Sequence, residues 1–384
     1  MNRLGIIAIG YNRTGSMRRL LEALSAADYG GDCVTLIISI DHSGNDDVYE
    51  LAEGFVWPHG EKAVEYQSVN LGLRKHIIKC GSYMEQYDLD AVAVFEDDIL
   101  PAKGFYNYMK QTVDYYYDDE KVAGISLYTH LWNYQKNLPF DPVKGRYDVY
   151  FMNMAQSWGQ VWLRNRWKEF MAWYEENKDR PMSDDVPATV RKWPESSWLK
   201  YHIAYCIEEK KVFVYPYTSF STCFADEGVH TLDHTSIYQV PMNMGCGERF
   251  NLIPASEGDV FYDAFFEYAG LGRYLSVDEE DLCVSIYGAR ENTGKRRYLL
   301  SKKDLPYKVM RSFALECRPH EMNVILGIEG DQIKLYDTSV TDDTSKEREL
   351  VDNSYYFRFN RSGKWMIEYA VRQKMRTLFK GGRN

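Results

Sequence analysis

Along the first 130 positions, apolar residues alternate between two periods. Residues 4 to 10, Leu-Gly-Ile-Ile-Ala-Ile-Gly, form a short unbroken apolar run, the pattern of a strand covered on both faces of a sheet. Met17, Leu20, Leu21 and Leu24 then recur at i, i+3, i+4 and i+7, which predicts a helix that the Gly30-Gly31 pair stops. Thr35 to Ile40 predicts a second strand, ending in Asp41-His42-Ser43-Gly44-Asn45. Leu73, Ile77 and Met84, with small residues at Cys80 and Gly81, supply another helical face, and Ala91 to Phe95 a third strand that closes on Glu96-Asp97-Asp98. The helical period returns with Phe105, Tyr108, Met109, Thr112, Val113 and Tyr116, before a fourth strand at Val122 to Leu127. Such alternation implies an α/β fold with a largely parallel sheet and right-handed crossovers.

Past Tyr147 the alternation is lost. An aromatic stretch around Trp158 and Trp162 leads into a helix with the face Leu163, Trp167, Phe170, Met171 and Tyr174, then a polar loop over 179–194. A helix over 196–209, a strand over 212–215 and a loop rich in chemically capable residues over 219–234 follow. Residues 308–338, including Val324-Ile325-Leu326-Gly327-Ile328, predict a small β-rich appendage, and 342–349 a solvated loop. Ile367, Val371, Met375 and Leu378 lie on one helical stripe flanked by Arg361, Lys364, Arg372, Lys374, Arg376, Lys380 and Arg383, a basic amphipathic helix suited either to an anionic membrane surface or to docking on its own domain. The expected division is 1–255, 256–360 and 361–384.

The chain has 384 residues, 45% hydrophobic and 27% charged, which fits a folded protein of two or three domains and excludes disorder as its main character. No run approaches the apolar length of a spanning helix, and no signal-peptide layout opens the chain. Seven cysteines without CxxC pairs fit a reducing compartment, so the expectation is a cytoplasmic protein. A net charge of −10 argues against nucleic acid as partner, because a binding face for backbone phosphates needs a surplus of Lys and Arg. Aromatic residues make up 15% of the chain, and their apolar faces with polar tips suit sugars as well as cores.

In open α/β sheets, ligands bind beyond the carboxyl ends of the strands. There lie Tyr11-Asn12-Arg13-Thr14-Gly15, Asp41 with its polar loop, and the acidic triplet. Neither GxGxxG nor GxxxxGK[ST] occurs at the first strand, which disfavours a dinucleotide or Walker-type ATP site. Three adjacent carboxylates repel one another unless a cation or hydrogen-bond donors compensate them. Mn²⁺ or Mg²⁺, which take hard oxygen ligands together with phosphate oxygens, would do so; a solvated acidic turn is the simpler alternative.

The pattern from the first strand through Ala-Val-Phe-Glu-Asp-Asp-Ile-Leu-Pro-Ala-Lys-Gly-Phe resembles glycosyltransferases of the GT-A fold. It is most similar to bacterial sugar transferases related to the N-glycan β-1,2-N-acetylglucosaminyltransferase family. The resemblance covers about residues 3 to 235, with its most specific parts at Phe95 to Phe105, Ser157-Trp158-Gly159, and from Ser196-Ser197-Trp198 through Tyr215-Pro216 to Asp226-Glu227-Gly228-Val229-His230. It implies a Rossmann-like central sheet flanked by helices. By it, Tyr11, Asn12 and Arg13 lie where the family contacts the nucleotide, Asp41 where it reads the uracil ring, and Arg74 near the diphosphate. Glu96 and Asp97 would face the ribose or sugar, Asp98 would bind the metal, and His230 would join the metal or diphosphate. Trp158, Trp162 and Trp198 are the candidates to hold the acceptor.

The eukaryotic family carries its catalytic Asp in a Trp-Asp-Asp-Trp motif; here the run is Trp193-Pro194-Glu195-Ser196-Ser197-Trp198-Leu199-Lys200. Glu195 and the pair Asp226-Glu227 are the available replacement bases, Asp226 favoured because it shares a short loop with His230. The implied function is a metal-dependent, inverting transfer of sugar from a UDP-sugar to a glycan or lipid-linked saccharide in surface polysaccharide synthesis. The alternatives are a sugar nucleotidyltransferase and a carbohydrate-binding module without turnover.

Overall fold

The computed structural model describes residues 2–224, 236–291, 293, 296–342, 367–368, 371 and 375. The first half runs β1 (Leu4–Gly10), α1 (Thr14–Ser25), β2 (Thr35–Ile40), α2 (Asp47–Gly54), β3 (Lys62–Tyr66), α3 (Leu73–Gln86), β4 (Ala91–Glu96), β5 (Ile99–Pro101), α4 (Phe105–Tyr116) and β6 (Val122–Ser126). A hairpin, β7 (Trp132–Asn133) and β8 (Leu138–Pro139), precedes β9 (Val149–Met152), β10 (Gln160–Leu163), α5 (Arg164–Asn177), α6 (Ala188–Arg191), α7 (Leu199–Glu208), β11 (Val212–Pro216) and β12 (Ser221–Cys223). Then come β13 (Phe261–Tyr262), β14 (Tyr268–Ala269), α8 (Gly272–Leu275), β15 (Leu282–Ser285), β16 (Tyr298–Ser301), β17 (Tyr307–Phe313), α9 (Met322–Ile325) and β18 (Ile333–Thr341).

Ten strands make one central sheet in the order β14-β13-β9-β11-β6-β10-β4-β1-β2-β3. The run from β4 to β3 is wholly parallel; farther along, β10 is antiparallel to both β4 and β6, and β9 is antiparallel to β11. All seven residues of β1 are buried, as its unbroken apolar run predicts. Ile6 and Ala8 face the core under α1 and α4; Ile7 and Ile9 face the one under α3, α5 and α7. α1 buries Met17, Leu20, Leu21 and Leu24, the four residues of the predicted face. Edge strand β3, Lys-Ala-Val-Glu-Tyr, is only half-buried along its whole length, so it lacks the continuous apolar run that marks the inner strands.

The expected boundary at residue 255 falls inside the main sheet, because β13 pairs parallel with β9 and β14 closes that edge. A four-stranded sheet, β15-β16-β18-β17, forms the expected β-rich appendage. Its Leu282, Val284, Leu300, Phe313, Ile333 and Leu335 merge into the core beneath α3, α5 and α7, so one face packs on the main body, while Cys283, Leu299 and Tyr336 form a small cluster of their own with Leu305 and Tyr307. Within it, residues 322–325 form helix α9 instead of the predicted strand: Met322 and Val324 begin a turn whose backbone bonds run back to residues 319–322. The predicted loop over 342–349 lies almost wholly outside the described residues. Of the predicted tail, Ile367, Glu368, Val371 and Met375 are helical and exposed; the remainder also lies outside. Among the described residues, no helix is long and apolar enough to cross a membrane.

Candidate active site

Strand order turns back on itself between β1 and β4: β1 is followed by β2 and β3 on one side, while β4 lies on the other. Crevices at such switch points are where α/β sheets take ligands. Ile9 of β1 stands in register with Glu96 of β4, so the turn after β1 and the acidic turn after β4 meet at this crevice.

Arg13 occupies the position just before α1, where a side-chain acceptor usually caps the helix, and makes no cap bond. Its guanidinium lies across the acids instead. Nε donates to Asp97 Oδ2 at 3.2 Å, Nη2 donates to Asp97 Oδ1, and Nη2 also lies 3.3 Å from Asp98 Oδ2. Asp97 is 6% exposed and Asp98 32%. Burial alone would lower the Arg13 pKa, but the bonds and charge of Asp97, then Asp98, outweigh it and raise it. Glu96 is pushed up to about 8 by burial and by the charges of Asp98 and Asp97, against the pull of Arg13. Arg13 thus supplies part of the compensation that three adjacent acids demand, and burial beside the other two favours the protonated form of Glu96. Asp98 is partly open to solvent. Among the described residues no group of three His, Cys, Asp or Glu is assembled to hold a metal. Tyr11 and Asn12, half-buried and exposed, lie on the same turn as Arg13.

Asp41, at the carboxyl end of β2, is buried and committed to the backbone. Its Oδ1 accepts from His42 N at 2.9 Å and Leu71 N at 2.8 Å, and Oδ2 accepts from Gly72 N at 2.9 Å. Gly72 has φ +73°, a left-handed conformation that glycine adopts without strain, and turns the chain into α3. Both oxygens thus take part in holding the loop that launches Arg74. Arg74 Nη1 donates to Tyr201 Oη at 2.8 Å and lies 3.6 Å from Glu195 Oε2. Glu195 also accepts from Lys200 Nζ at 2.7 Å and Tyr201 Oη at 2.6 Å, and these bonds lower its pKa, Lys200 first. Glu195 is thus engaged by two donors, with its side chain 75% exposed.

The three tryptophans divide. Trp162, 1% exposed, stacks on Trp167 at 4.0 Å, and Trp198 meets Trp162 edge-on at 5.8 Å in the same core. Both are structural, a correction to their expected place at an acceptor. Trp158 alone is half-buried. Gly159, at φ +91°, lies so close to Ser221 that a Cβ there would fall 2.6 Å from its Oγ, and Ser221 Oγ donates to Trp158 O at 2.6 Å. This tight turn presents the Trp158 ring, which stacks on Tyr238 at 4.9 Å and tilts against Tyr128 at 4.9 Å. His130 lies beside it, edge-on at 5.7 Å; burial lowers its pKa to about 3, so it is neutral. Sequence reasoning missed Tyr128, His130 and Tyr238; the available signal was that Tyr128 and His130 directly follow the fourth predicted strand, at a carboxyl end.

β12 pairs antiparallel with β5, immediately after the acids, and Phe224 N donates to Asp98 O at 2.8 Å. On the far side of 225–235, Tyr238 O accepts from Tyr128 Oη at 3.0 Å and Val240 N donates to Thr222 Oγ1 at 3.0 Å. Both ends of this stretch are therefore anchored at the crevice. Asp226, Glu227 and His230 themselves lie outside the described residues.

No family model matches the chain, and no curated protein matches it. Solved structures do. S. aureus TarS 1-349 in complex with UDP-GlcNAc is 13% identical with a TM-score of 0.41, over 59% of this chain and 60% of that one. GalNAc-T7 with UDP, GalNAc and Mn²⁺ is 10% identical with a TM-score of 0.41, over 56% and 43%. The mannosyltransferase PcManGT from Pyrobaculum calidifontis, in complex with GDP-Man and Mn²⁺, is 14% identical with a TM-score of 0.31, over 45% and 46%. The match spans about six tenths of the length of the TarS structure.

Proposed function

We propose that this chain is a glycosyltransferase of the GT-A kind that moves a sugar from a nucleotide-diphosphate donor, UDP-linked, to a glycan or lipid-linked saccharide, with inversion. The observation that carries this reading is the meeting of Arg13, Asp97 and Asp98 at the β1/β4 switch point, with both ends of the 225–235 stretch anchored beside them. Tyr11, Asn12 and Arg13 would contact the nucleotide, and Glu96 with Asp97 the ribose or sugar. Mn²⁺ or Mg²⁺ would be held by Asp98 with His230, and would supply Lewis-acid neutralisation of the departing diphosphate.

The remaining chemistry belongs to the chain. Asp41 fixes the loop from which Arg74 leaves, and Arg74 beside Tyr201 is the cation available to a diphosphate approaching that side. The Trp158 and Tyr238 rings offer an apolar face to the acceptor sugar. Asp226 would take the proton of the attacking hydroxyl. In sequence it follows Phe224, whose backbone N–H bonds to Asp98 O, by two residues. Glu195, already bonded to Lys200 and Tyr201, is left to organise Arg74. The basic stripe over 361–384 would hold the enzyme at the inner face of an anionic membrane, beside lipid-linked acceptors of surface polysaccharide synthesis.

Calorimetry with UDP, with and without Mn²⁺, tests the reading. Metal-enhanced UDP binding with slow hydrolysis of a UDP-sugar is expected. Saccharide binding without nucleotide binding would instead make the chain a carbohydrate-binding module, and turnover of a nucleoside triphosphate with a sugar phosphate would make it a nucleotidyltransferase.

A further inference from the structure

We propose that the cavity between α6 and the turn joining β13 to β14 is an outer acceptor subsite that takes a neutral sugar unit. The inference rests on the reading of the chain as a transferase to saccharides, and it adds a place for a sugar beyond the one facing Trp158.

The cavity has a volume of about 260 Å³ and is lined by Asp184, Ala188, Arg191, Phe265 and Glu291. Buried Val190 anchors the short helix α6, which leaves Ala188 and Arg191, three residues apart, on the cavity side. The facing wall comes from the turn after β13. There Asp263 Oδ1 accepts from Phe265 N at 2.8 Å and from Glu267 N at 3.1 Å. Phe266 has φ +63°, a left-handed conformation that bulky residues rarely adopt. Its fully buried ring, edge-on to His130 at 5.4 Å and to Tyr134 at 5.6 Å, holds it there. Backbone strain maintained by surrounding packing is characteristic of binding and active sites, and the strained turn is the one that carries Phe265. Arg290, bonded to Val284 O at 3.0 Å and to Asp263, lies over the Phe265 ring at 4.2 Å and so fixes the chain just before Glu291.

The polar groups are arranged for hydroxyls. Arg191 Nη1 donates to Asp184 Oδ1 at 2.7 Å and Nη2 donates to Glu291 Oε2 at 3.1 Å. Among the described residues, each of these terminal nitrogens keeps a second N–H, and each carboxylate a second oxygen, without a protein partner. A sugar hydroxyl can donate to a carboxylate and accept from a guanidinium at once, while Phe265 and Ala188 offer apolar surface to its C–H face. Asp184, Glu291 and Arg191 sum to −1, so a phosphate or uronate group would meet net repulsion and a neutral sugar would not. The cavity is also tied to the proposed acceptor face. Trp193, two residues after Arg191, lies against Tyr134 at 6.1 Å; Tyr134 meets Phe266, Phe266 meets His130, and His130 meets Trp158 at 5.7 Å. Both places for a sugar thus hang on one set of packed rings, which suits an acceptor of several units better than a single sugar.

The test is saturation-transfer NMR of the full chain with the methyl glycosides of glucose, galactose, mannose and N-acetylglucosamine, and with methyl glucuronide as the anionic control. At least one neutral glycoside should bind the wild type. The double variant Asp184→Asn, Glu291→Gln should bind it about tenfold more weakly, the effect of losing hydrogen bonds to charged groups. The same loss should appear in a Trp158→Ala background, which separates the cavity from the Trp158 face. Ala188→Met fills the cavity, leaves all three charges in place and should block binding too; it serves also if circular dichroism shows the double variant unfolded. If Arg191 merely staples α6 to residue 291, the double variant loses stability while glycoside binding stays the same. Unchanged glycoside binding in the folded variants, or no neutral glycoside bound by the wild type, overturns the proposal, and glucuronide bound as tightly as glucoside overturns the preference for a neutral sugar. A parallel arm with UDP separates this from failure of the functional reading. If the wild type binds UDP with Mn²⁺ while the cavity variants keep their glycoside, only the subsite is wrong. If the wild type binds no UDP with Mn²⁺, the transferase reading fails, and a glycoside signal lost in the cavity variants still marks a saccharide site.

Discussion

Replacing Asp41 by Ala should damage stability before it damages chemistry. The buried carboxylate accepts three backbone N–H groups, from His42, Leu71 and Gly72, at 2.8 to 2.9 Å. Hydrogen bonds to a charged group contribute about 1.5 to 3 kcal/mol each. The three donors are partly buried and water can reach some of them after truncation, so the total should fall at or below the low end of that sum, about 3 to 5 kcal/mol. That is a large share of the roughly 5 to 15 kcal/mol that holds a typical protein folded. Asp41→Asn keeps one acceptor oxygen but turns an amide donor toward a backbone donor, so it should lose part of this amount. Urea unfolding followed by fluorescence would give the loss, and hydrogen exchange resolved by mass spectrometry should show faster exchange at Leu71 and Gly72. If Asp41→Ala is as stable as the wild type to within about 1 kcal/mol, with exchange at 71–72 unchanged and UDP affinity lost, the carboxylate reads the base and the clamp argument is wrong.

Trp198→Ala should cost about 3 to 5 kcal/mol by opening a cavity in the core under α3, α5 and α7, whereas Trp158→Ala should fold nearly normally and weaken acceptor binding; a reversal of that ranking in thermal melts and acceptor titrations would refute the division between them. Glu195→Gln should keep turnover within about threefold while Asp226→Asn loses roughly 10² to 10⁴, measured as UDP release; equal losses would return Glu195 to candidacy as the base. Burial raises buried Glu267 and Glu321 to about 8 and about 7. Between the ordinary carboxylate value of 4.5 and those values the folded protein holds protons that the unfolded chain has released. Their stabilising contribution is therefore full below about pH 4.5, falls as pH rises through about 7 and 8, and is flat beyond. Each tenfold difference in proton affinity between the folded and unfolded chain corresponds to about 1.4 kcal/mol. Urea midpoints should accordingly drop clearly from pH 6 to pH 9, and rising midpoints over that range would contradict the assignment.

Within the first 126 residues, hydrophobic pattern alone determined β1, α1, β2, α3, β4, α4 and β6 but not the short α2 and β5, because β1, β2 and β4 are covered on both faces and α1 and α4 on one, and burial of that kind writes itself as unbroken or 3.6-residue apolar periods. It also located the acids and Arg13 at strand ends, where such sheets bind ligands. Half-buried β3, and the two-residue strands β13 and β14 that carry the sheet past residue 255, left no comparable trace. Only the tertiary structure decided what each polar or aromatic group is used for. It assigned Asp41 to three amides, Glu195 to Lys200 and Tyr201, Trp162 and Trp198 to a core, and Arg13 to the acids 84 residues away. The physical reason is that periodicity reports whether a side chain is buried, whereas its role depends on partners brought together by strand order, which no local pattern encodes.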